Sequence, residues 1–157
     1  MSNALPTISP LELADLPCIW AIEQTLLGPW SYAQLQEELD IGHGWQLVAR
    51  LPDGQVGGYL FGSTVIDETE VRKIAVAAAC RRQGVANLLL ATACRNLARQ
   101  NVMSCFLELR ASNLPALHLY QKNNFQIVGL RKSYYTLPTE DAMILKLSFN
   151  QTKETIS

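Results

Sequence analysis

The chain has 157 residues, 48% of them apolar, with 13 basic and 14 acidic side chains and a formal net charge of −1. This length suits one domain that buries roughly 70% of the surface its unfolded chain exposes, and the balanced charge excludes the basic field that holds nucleic acid or an anionic membrane. No apolar run reaches the span of about 18 residues that a bilayer needs, and the polar opening Met1 to Pro10 lacks the pattern of a leader, so a cytoplasmic protein is expected.

In SPLELADLPCIWAIEQTLLG, Leu11, Leu16, Ile19, Trp20 and Ile22 recur at roughly helical spacing, which predicts one helix with room for a kink at Pro17, closed by Gly28 and Pro29. Ser31 followed three residues later by Gln34 is a capping-box pattern and predicts a second helix ending near Gly42. WQLVARL, QVGGYLFGSTVI and EVRKIAV then read as three consecutive antiparallel strands, separated by the PDG turn and the polar break DETE. From Gly84 to about Gln100 the period lengthens again through Ala86, Leu89, Leu90, Ala93 and Leu97, a third helix. It leads to the strand MSCFLELRA. Asn113 is placed to cap a short helix with Pro115 in its first turn, and FQIVGLRKSYYTL and DAMILKLSF form a hairpin around PTED.

Strands on both sides of the long helix imply a mixed sheet covered by helices, with a parallel crossover through the helix that begins at Gly84. One domain is expected over residues 1–149, with a polar, frayed tail at 150–157. Cys18, Cys80, Cys94 and Cys105 form no C-x-x-C pair and have no histidine at ligand spacing, so neither zinc nor a disulfide framework is expected, and no metal. His43 and His118 stand alone and read as ordinary surface or partly buried imidazoles.

The start of the third helix, RRQGVANLLL, lacks the Ser, Thr, Asp or Asn that usually caps a helix. The first amides of a helix have no intrahelical partner and carry the positive end of its dipole. Here they are left to water or to an external anion. Gly84 permits close approach, Arg81 and Arg82 add charge, and the strand KIAV leads directly in, so the arrangement suits phosphate oxygens. A plain amphipathic helix with a solvated basic start is the alternative. The chain has no G-x-x-x-x-G-K-[ST] and no G-x-G-x-x-G, which leaves nucleotide hydrolysis and a dinucleotide fold unsupported.

RRQGVA resembles the R/Q-x-x-G-x-G/A element of the GNAT superfamily of N-acetyltransferases, through Arg81, Gly84 and Ala86. With IAV before it, LELRASNLPALHLYQKNNF and RKSYYTLPTEDAMILKL after it, and IEQ and PWS early on, the likeness covers about residues 8 to 148. It is to the subgroup of ribosomal-protein-alanine N-acetyltransferases. The resemblance implies an α/β (α+β) GNAT fold, with a mostly antiparallel sheet of about six to seven strands and helices on both faces. It implies acetyl-CoA as co-substrate, its pyrophosphate held by Arg81, Arg82, Gln83, Gly84, Val85, Ala86 and Asn87. Two departures stand out: AAAC replaces the usual acidic-proline turn after the strand, and Asn124 replaces the glycine before Phe125. The second is mild, because Asn tolerates a left-handed cap.

Acetyl transfer needs a neutral amine, a route for its proton and a way to stabilise the departing thiolate. Alternation in CFLELRA puts Cys105, Leu107 and Leu109 on one face and Phe106, Glu108 and Arg110 on the other. Glu108 thus stands mid-strand among apolar neighbours, either paired with a basic side chain or free to act. Tyr120, on the short helix, reads by position as core. By resemblance Glu108 matches the general base and Tyr120 the acid that protonates the CoA thiolate; Asn113 would contact the cofactor as well as cap its helix. The backbone of Ile74, Ala75 and Val76 would bond the pantetheine arm and polarise the acetyl carbonyl. Trp30, Arg131, Tyr134 and Tyr135 would wall a peptide groove.

At pH 7 a chain-terminal amine is neutral in about one molecule in ten and a lysine in roughly one in 2,500, a gap of about 3.4 kcal/mol. A single modest base therefore suits a terminal amine better than a lysine. The subgroup implies the N-terminal peptide of a small-subunit ribosomal protein, beginning with alanine, and no direct nucleic-acid or membrane partner. The rivals are a GNAT enzyme acting on a small amine or a lysine side chain, and a non-catalytic CoA-binding sensor or interaction module. A mere binder would need neither Glu108 nor Tyr120.

Overall fold

The computed structural model describes residues 5–149; the tail expected at 150–157 lies outside the described residues. Seven strands form one sheet: Thr7–Pro10 (β1), Gly44–Arg50 (β2), Val56–Val65 (β3), Glu68–Val76 (β4), Ser104–Arg110 (β5), Gln126–Tyr135 (β6) and Glu140–Ser148 (β7). Their spatial order is β1-β2-β3-β4-β5-β7-β6, antiparallel except where β4 meets β5. The helices are Leu16–Glu23 (α1), Tyr32–Asp40 (α2), Val85–Arg99 (α3) and Leu114–Lys122 (α4). Helix α3 makes the expected crossover between the two parallel strands. No helix among the described residues is long and apolar enough to cross a membrane.

Apolar residues on the two faces of the sheet build two cores. Leu60, Leu89, Leu107, Phe125 and Leu145 pack with α3 and α4 on one side; Ile19, Leu35, Val48, Tyr59 and Phe61 pack with α1 and α2 on the other. The capping box of α2 forms: Gln34 N donates to Ser31 Oγ at 3.1 Å and Ser31 N to Gln34 Oε1 at 2.8 Å. Asn113 caps α4, its Oδ1 accepting from Ala116 N at 3.2 Å. Asn124 takes φ +70°, the left-handed conformation for which a glycine is usual.

The first expected helix is corrected at both ends: α1 stops at Glu23, and the residues up to Gly28 are turn and bend. Thr7–Pro10 pairs with β2 as an edge strand, Leu13–Asp15 is a single 3-10 turn, and α1 begins only at Leu16. Pro17 stands in the first turn of α1 and starts the helix rather than kinking it. The strand depends on β2, some forty residues away, and Arg50 at the end of β2 clamps Asp15 through two bonds of 2.9 Å. The DETE break also shrinks: β3 and β4 turn on Ile66 and Asp67 alone, with Val65 opposite Glu68.

Two irregularities shape the middle of the sheet. Phe61 is opposite Lys73 and Gly62 opposite Val71, which leaves Arg72 as the extra residue of a bulge in β4. One inserted residue exchanges the two faces of a strand. Val71 accordingly belongs to the α3 core, whereas beyond the bulge Ala75 belongs to the α1 core and Ile74 and Val76 turn toward α3. The bulged Arg72 reaches α2, where its Nη2 meets Glu38 Oε1 at 2.7 Å. Strands β4 and β5 pair only from Glu68 to Glu70 against Ser104 to Phe106, and past that point no pairing joins them.

Candidate active site

Past the stretch of β4 that pairs with β5, a cleft of about 720 Å³ lies between the end of β4, the start of α3 and the start of α4. Ten of the eleven residues assigned to the cofactor line it: Ile74, Ala75, Val76, Arg81, Arg82, Gly84, Val85, Ala86, Asn87 and Asn113. Gln83 does not, because its side chain turns back and donates to the Ala79 carbonyl at 3.2 Å. Leu26, Cys80, Pro115, Ala116 and Leu119 complete the wall. Leu26 had no sequence signal; it comes from the loop between α1 and α2, brought in by tertiary packing.

The helix start has the features its sequence implied. Gly84 sits at φ +77°, no side chain caps it, and a Cβ placed there would meet nothing within 4 Å. The first bond that closes the helix runs from Leu88 N to Gly84 O at 3.0 Å. Among the described residues, no acceptor serves the amides of Val85, Ala86 and Asn87. The AAAC segment forms a 3-10 turn over Ala78–Cys80 with Cys80 buried, after which Arg82 takes φ +62°. Arg81 Nε donates to the Val76 carbonyl at 3.3 Å, tying the loop to the strand. Asn87 is held from the other side, its Oδ1 accepting from Asn123 Nδ2 at 2.9 Å.

A second cleft, of about 380 Å³, opens on the α1 and α2 side of the sheet and is lined by Glu68, Glu70, Phe106, Glu108, Arg131 and Ile144. The alternation expected in β5 is observed, with Cys105, Leu107 and Leu109 buried and Phe106, Glu108 and Arg110 partly exposed. Glu108 does have a basic neighbour, Arg131 Nε at 3.5 Å, but the Arg131 side chain is 56% exposed and the contact is long. An ion pair of that kind contributes little and does not lock the carboxylate. Tyr134 and Tyr135 pack edge to face at 5.2 Å, over Arg131 and Arg110 respectively. Interaction with the Glu108 carboxylate pushes the Tyr134 phenol up from its ordinary pKa; burial, then Glu108, does the same to Tyr135.

Tyr120 approaches from the opposite face. It is 4% exposed and packs edge to face on Phe125 at 5.4 Å, so the expectation that it is a core residue holds for its ring. Burial, followed by the neighbouring Cys105 and Tyr135, pushes its phenol well above the ordinary value and keeps it protonated. Glu108 and Tyr120 thus stand on opposite faces of the sheet, Glu108 in the smaller cleft and Tyr120 in the core, outside the lining of both clefts.

Trp30 stacks flat on Phe61 at 5.8 Å with Lys73 Nζ 4.6 Å from its ring. Beneath it lies a buried group that the sequence did not reveal. The fully buried Glu23 carboxylate accepts from Tyr59 Oη, from Lys73 Nζ at 2.7 Å and from Trp30 N at 2.8 Å. Burial, then Glu23, pushes the Tyr59 phenol far above its ordinary value. All four cysteines are free; burial pushes the Cys94 thiol up to about 11 and Cys105 higher, so neither is a nucleophile.

The acetyltransferase (GNAT) family model matches residues 14–125. The protein named ribosomal protein bS18-alanine N-acetyltransferase in Escherichia coli (strain K12) is 35% identical over 147 residues, covering 90% of this chain and 96% of its own length. Its namesake in Haemophilus influenzae is 32% identical over 142 residues, covering 88% of this chain and 95% of its own. The crystal structure of the ribosomal-protein-S18-alanine N-acetyltransferase from Escherichia coli superposes with a TM-score of 0.88 at 31% identity, over 98% of this chain and 99% of that one. An uncapped helix start beside a splayed pair of parallel strands, carried on a chain with these relatives, leads to one assignment: the chain belongs to the acetyltransferase (GNAT) family.

Proposed function

We propose that this protein transfers the acetyl group of acetyl-CoA to the N-terminal amine of a protein, the alanine that opens small-subunit ribosomal protein bS18, by direct attack within a ternary complex. The observation that carries this reading is the uncapped start of α3 in the larger cleft, with Glu108 in a second cleft beside the last β4–β5 pair. The similarity to the bS18-alanine enzymes, along nine-tenths of the chain, supports the choice of amine.

The larger cleft fits a diphosphate. Gly84 offers open space, the amides of Val85 to Asn87 have no other acceptor among the described residues, and Arg81 and Arg82 add charge. Acetyl-CoA supplies the thioester carbon and, as it departs, a thiolate. The exposed edge of β4 past the bulge, at Ile74 to Val76, holds the pantetheine arm and orients the carbonyl; Asn113 borders the same cleft. Glu108 takes the proton of the incoming amine, directly or through water. Tyr120, protonated by virtue of its burial, gives its proton to the sulfur. Arg131, in the lining of the smaller cleft, contacts the peptide, and Trp30, Tyr134 and Tyr135, outside that lining, border its approach.

The test is incubation with acetyl-CoA and two peptides carrying the bS18 N-terminal sequence, one free and one blocked at its terminus, followed by mass spectrometry. Acetylation of the free terminal alanine alone is the expected result. Modification of lysine in the blocked peptide would replace this reading with a side-chain acetyltransferase, and the absence of transfer to any amine would favour a CoA-binding module.

A further inference from the structure

Glu23 is buried without exposure and yet is no part of either cleft. Its three donors come from three different places: Tyr59 from β3, Lys73 from β4 immediately after the bulge, and the Trp30 amide from the end of the loop that leaves α1. The carboxylate therefore joins both ends of the loop between α1 and α2 to β4 at Lys73, the residue before Ile74. The same loop places Leu26 in the larger cleft and Trp30 on Phe61 beneath Lys73.

A buried ion pair is a poor source of stability, because desolvation of both charges offsets their attraction, and well-packed apolar residues of similar size often serve as well or better. What such a group does supply is direction. Each of its bonds specifies one geometry, whereas apolar contacts tolerate sliding. Beyond Glu23, the loop's backbone is held at its start by Gln24 N to Trp20 O, Thr25 N to Ile22 O and Leu26 N to Glu23 O and at its end by the Ser31 capping bond, while among the described residues no hydrogen bond is made by the amides of Leu27 and Gly28.

We infer that Glu23 is a positioning residue for the peptide substrate, holding the loop between α1 and α2 so that Trp30 stands as a fixed wall of the amine's approach; this rests on the reading of the protein as an N-terminal acetyltransferase. The step from buried carboxylate to catalysis passes through the Trp30 amide and ring. Glu23 itself touches neither cleft.

The experiment compares the wild type with Glu23→Gln and Tyr59→Phe in two measurements. Steady-state kinetics with the free bS18 peptide should show a peptide KM raised about tenfold in Glu23→Gln, with kcat within about twofold of wild type and acetyl-CoA affinity, which the loop touches only through Leu26, lowered by less than the peptide's. Hydrogen exchange read by mass spectrometry should show residues 24–31 exchanging about tenfold faster or more, while α3 and β5 keep their protection. Tyr59→Phe, which removes one donor and leaves the charge paired, should move both readouts the same way by less. Unchanged peptide KM and unchanged loop exchange in Glu23→Gln would overturn the inference. So would a variant that loses kcat, cofactor affinity and global protection together, since that is the signature of a merely structural role. Should Glu23→Gln fail to fold, Tyr59→Phe decides on the same two criteria. If the wild type acetylates no peptide terminus, the transferase reading fails by itself, and the exchange of residues 24–31 still decides whether Glu23 sets the loop.

Discussion

Arg131 Nε lies 3.5 Å from Glu108 Oε1, reaching across β7, the strand that separates β5 from β6. The distance is compatible with attraction and too long for a strong hydrogen bond, so the carboxylate keeps its freedom while the arginine stays half in solvent. Replacing Glu108 by Gln should lower kcat/KM by about 10²-fold or more near neutral pH and by progressively less toward pH 9, where the terminal amine loses its proton unaided. A pH–rate profile with the free peptide checks this; a loss uniform in pH would remove Glu108 from the role of base. Arg131→Ala should raise the peptide KM and change stability by less than about 1 kcal/mol.

Tyr120→Phe keeps the ring on Phe125 and removes only the hydroxyl. Transfer should slow by about 10²-fold, with acetyl-CoA affinity by calorimetry and the melting temperature nearly unchanged. Wild-type turnover in this variant would mean that the thiolate is protonated by another group.

The helix start makes a separate prediction. An aspartate at Gly84 puts a negative charge against the expected diphosphate in a left-handed position that glycine alone adopts freely, and Arg81→Ala removes both a charge and the tie to Val76. Each should weaken acetyl-CoA binding about tenfold or more, the loss of one charge-assisted bond. Unchanged affinity in both variants would refute the cradle.

Gly62 lies directly under Trp45, where a Cβ would come 2.1 Å from the indole Cζ2. The indole cannot move away cheaply, because its Nε1 donates to Thr69 Oγ1 at 2.9 Å. Gly62→Ala should destabilise the fold by about 2 kcal/mol or more in urea denaturation. Adding Trp45→Leu should recover part of that loss, and a double-mutant cycle without coupling would disprove the contact.

Hydrogen bonds from Arg50 hold the Asp15 carboxyl below its ordinary value of 3.8. The unfolded chain therefore takes up the proton first as pH falls, so the stability contributed by this pair is present above about pH 4 and is lost as pH drops through the lower folded value. Arg50→Ala should flatten the acid limb of stability against pH between about 5 and 3. An identical acid limb in the variant would show that the clamp contributes nothing.

What the sequence by itself determined is local. The capping box at Ser31 and Gln34, the Asn113 cap, the left-handed Asn124, the bare start of α3 at Gly84 and the alternation that sets Glu108 apart from Leu107 each depend on residues within a few positions of one another. Their backbone geometry follows from short-range sterics and hydrogen bonding, and so does the gathering of Arg81 to Asn87, all but Gln83, at one cleft. The tertiary structure decided the rest. Thr7–Pro10 is a strand only because β2 pairs with it, and helical spacing in the same stretch gave no sign of that. The Arg72 bulge turns Ile74 and Val76 toward α3, although the alternation of EVRKIAV carries no mark of an extra residue. Glu23, Tyr59 and Lys73 meet from positions up to fifty residues apart, and Glu108 and Tyr120 come to opposite faces of the sheet, Glu108 in the smaller cleft and Tyr120 in the α3 and α4 core. Each of these depends on which distant segment offers a partner for a buried polar group or a strand edge, a choice made by packing the whole chain at once.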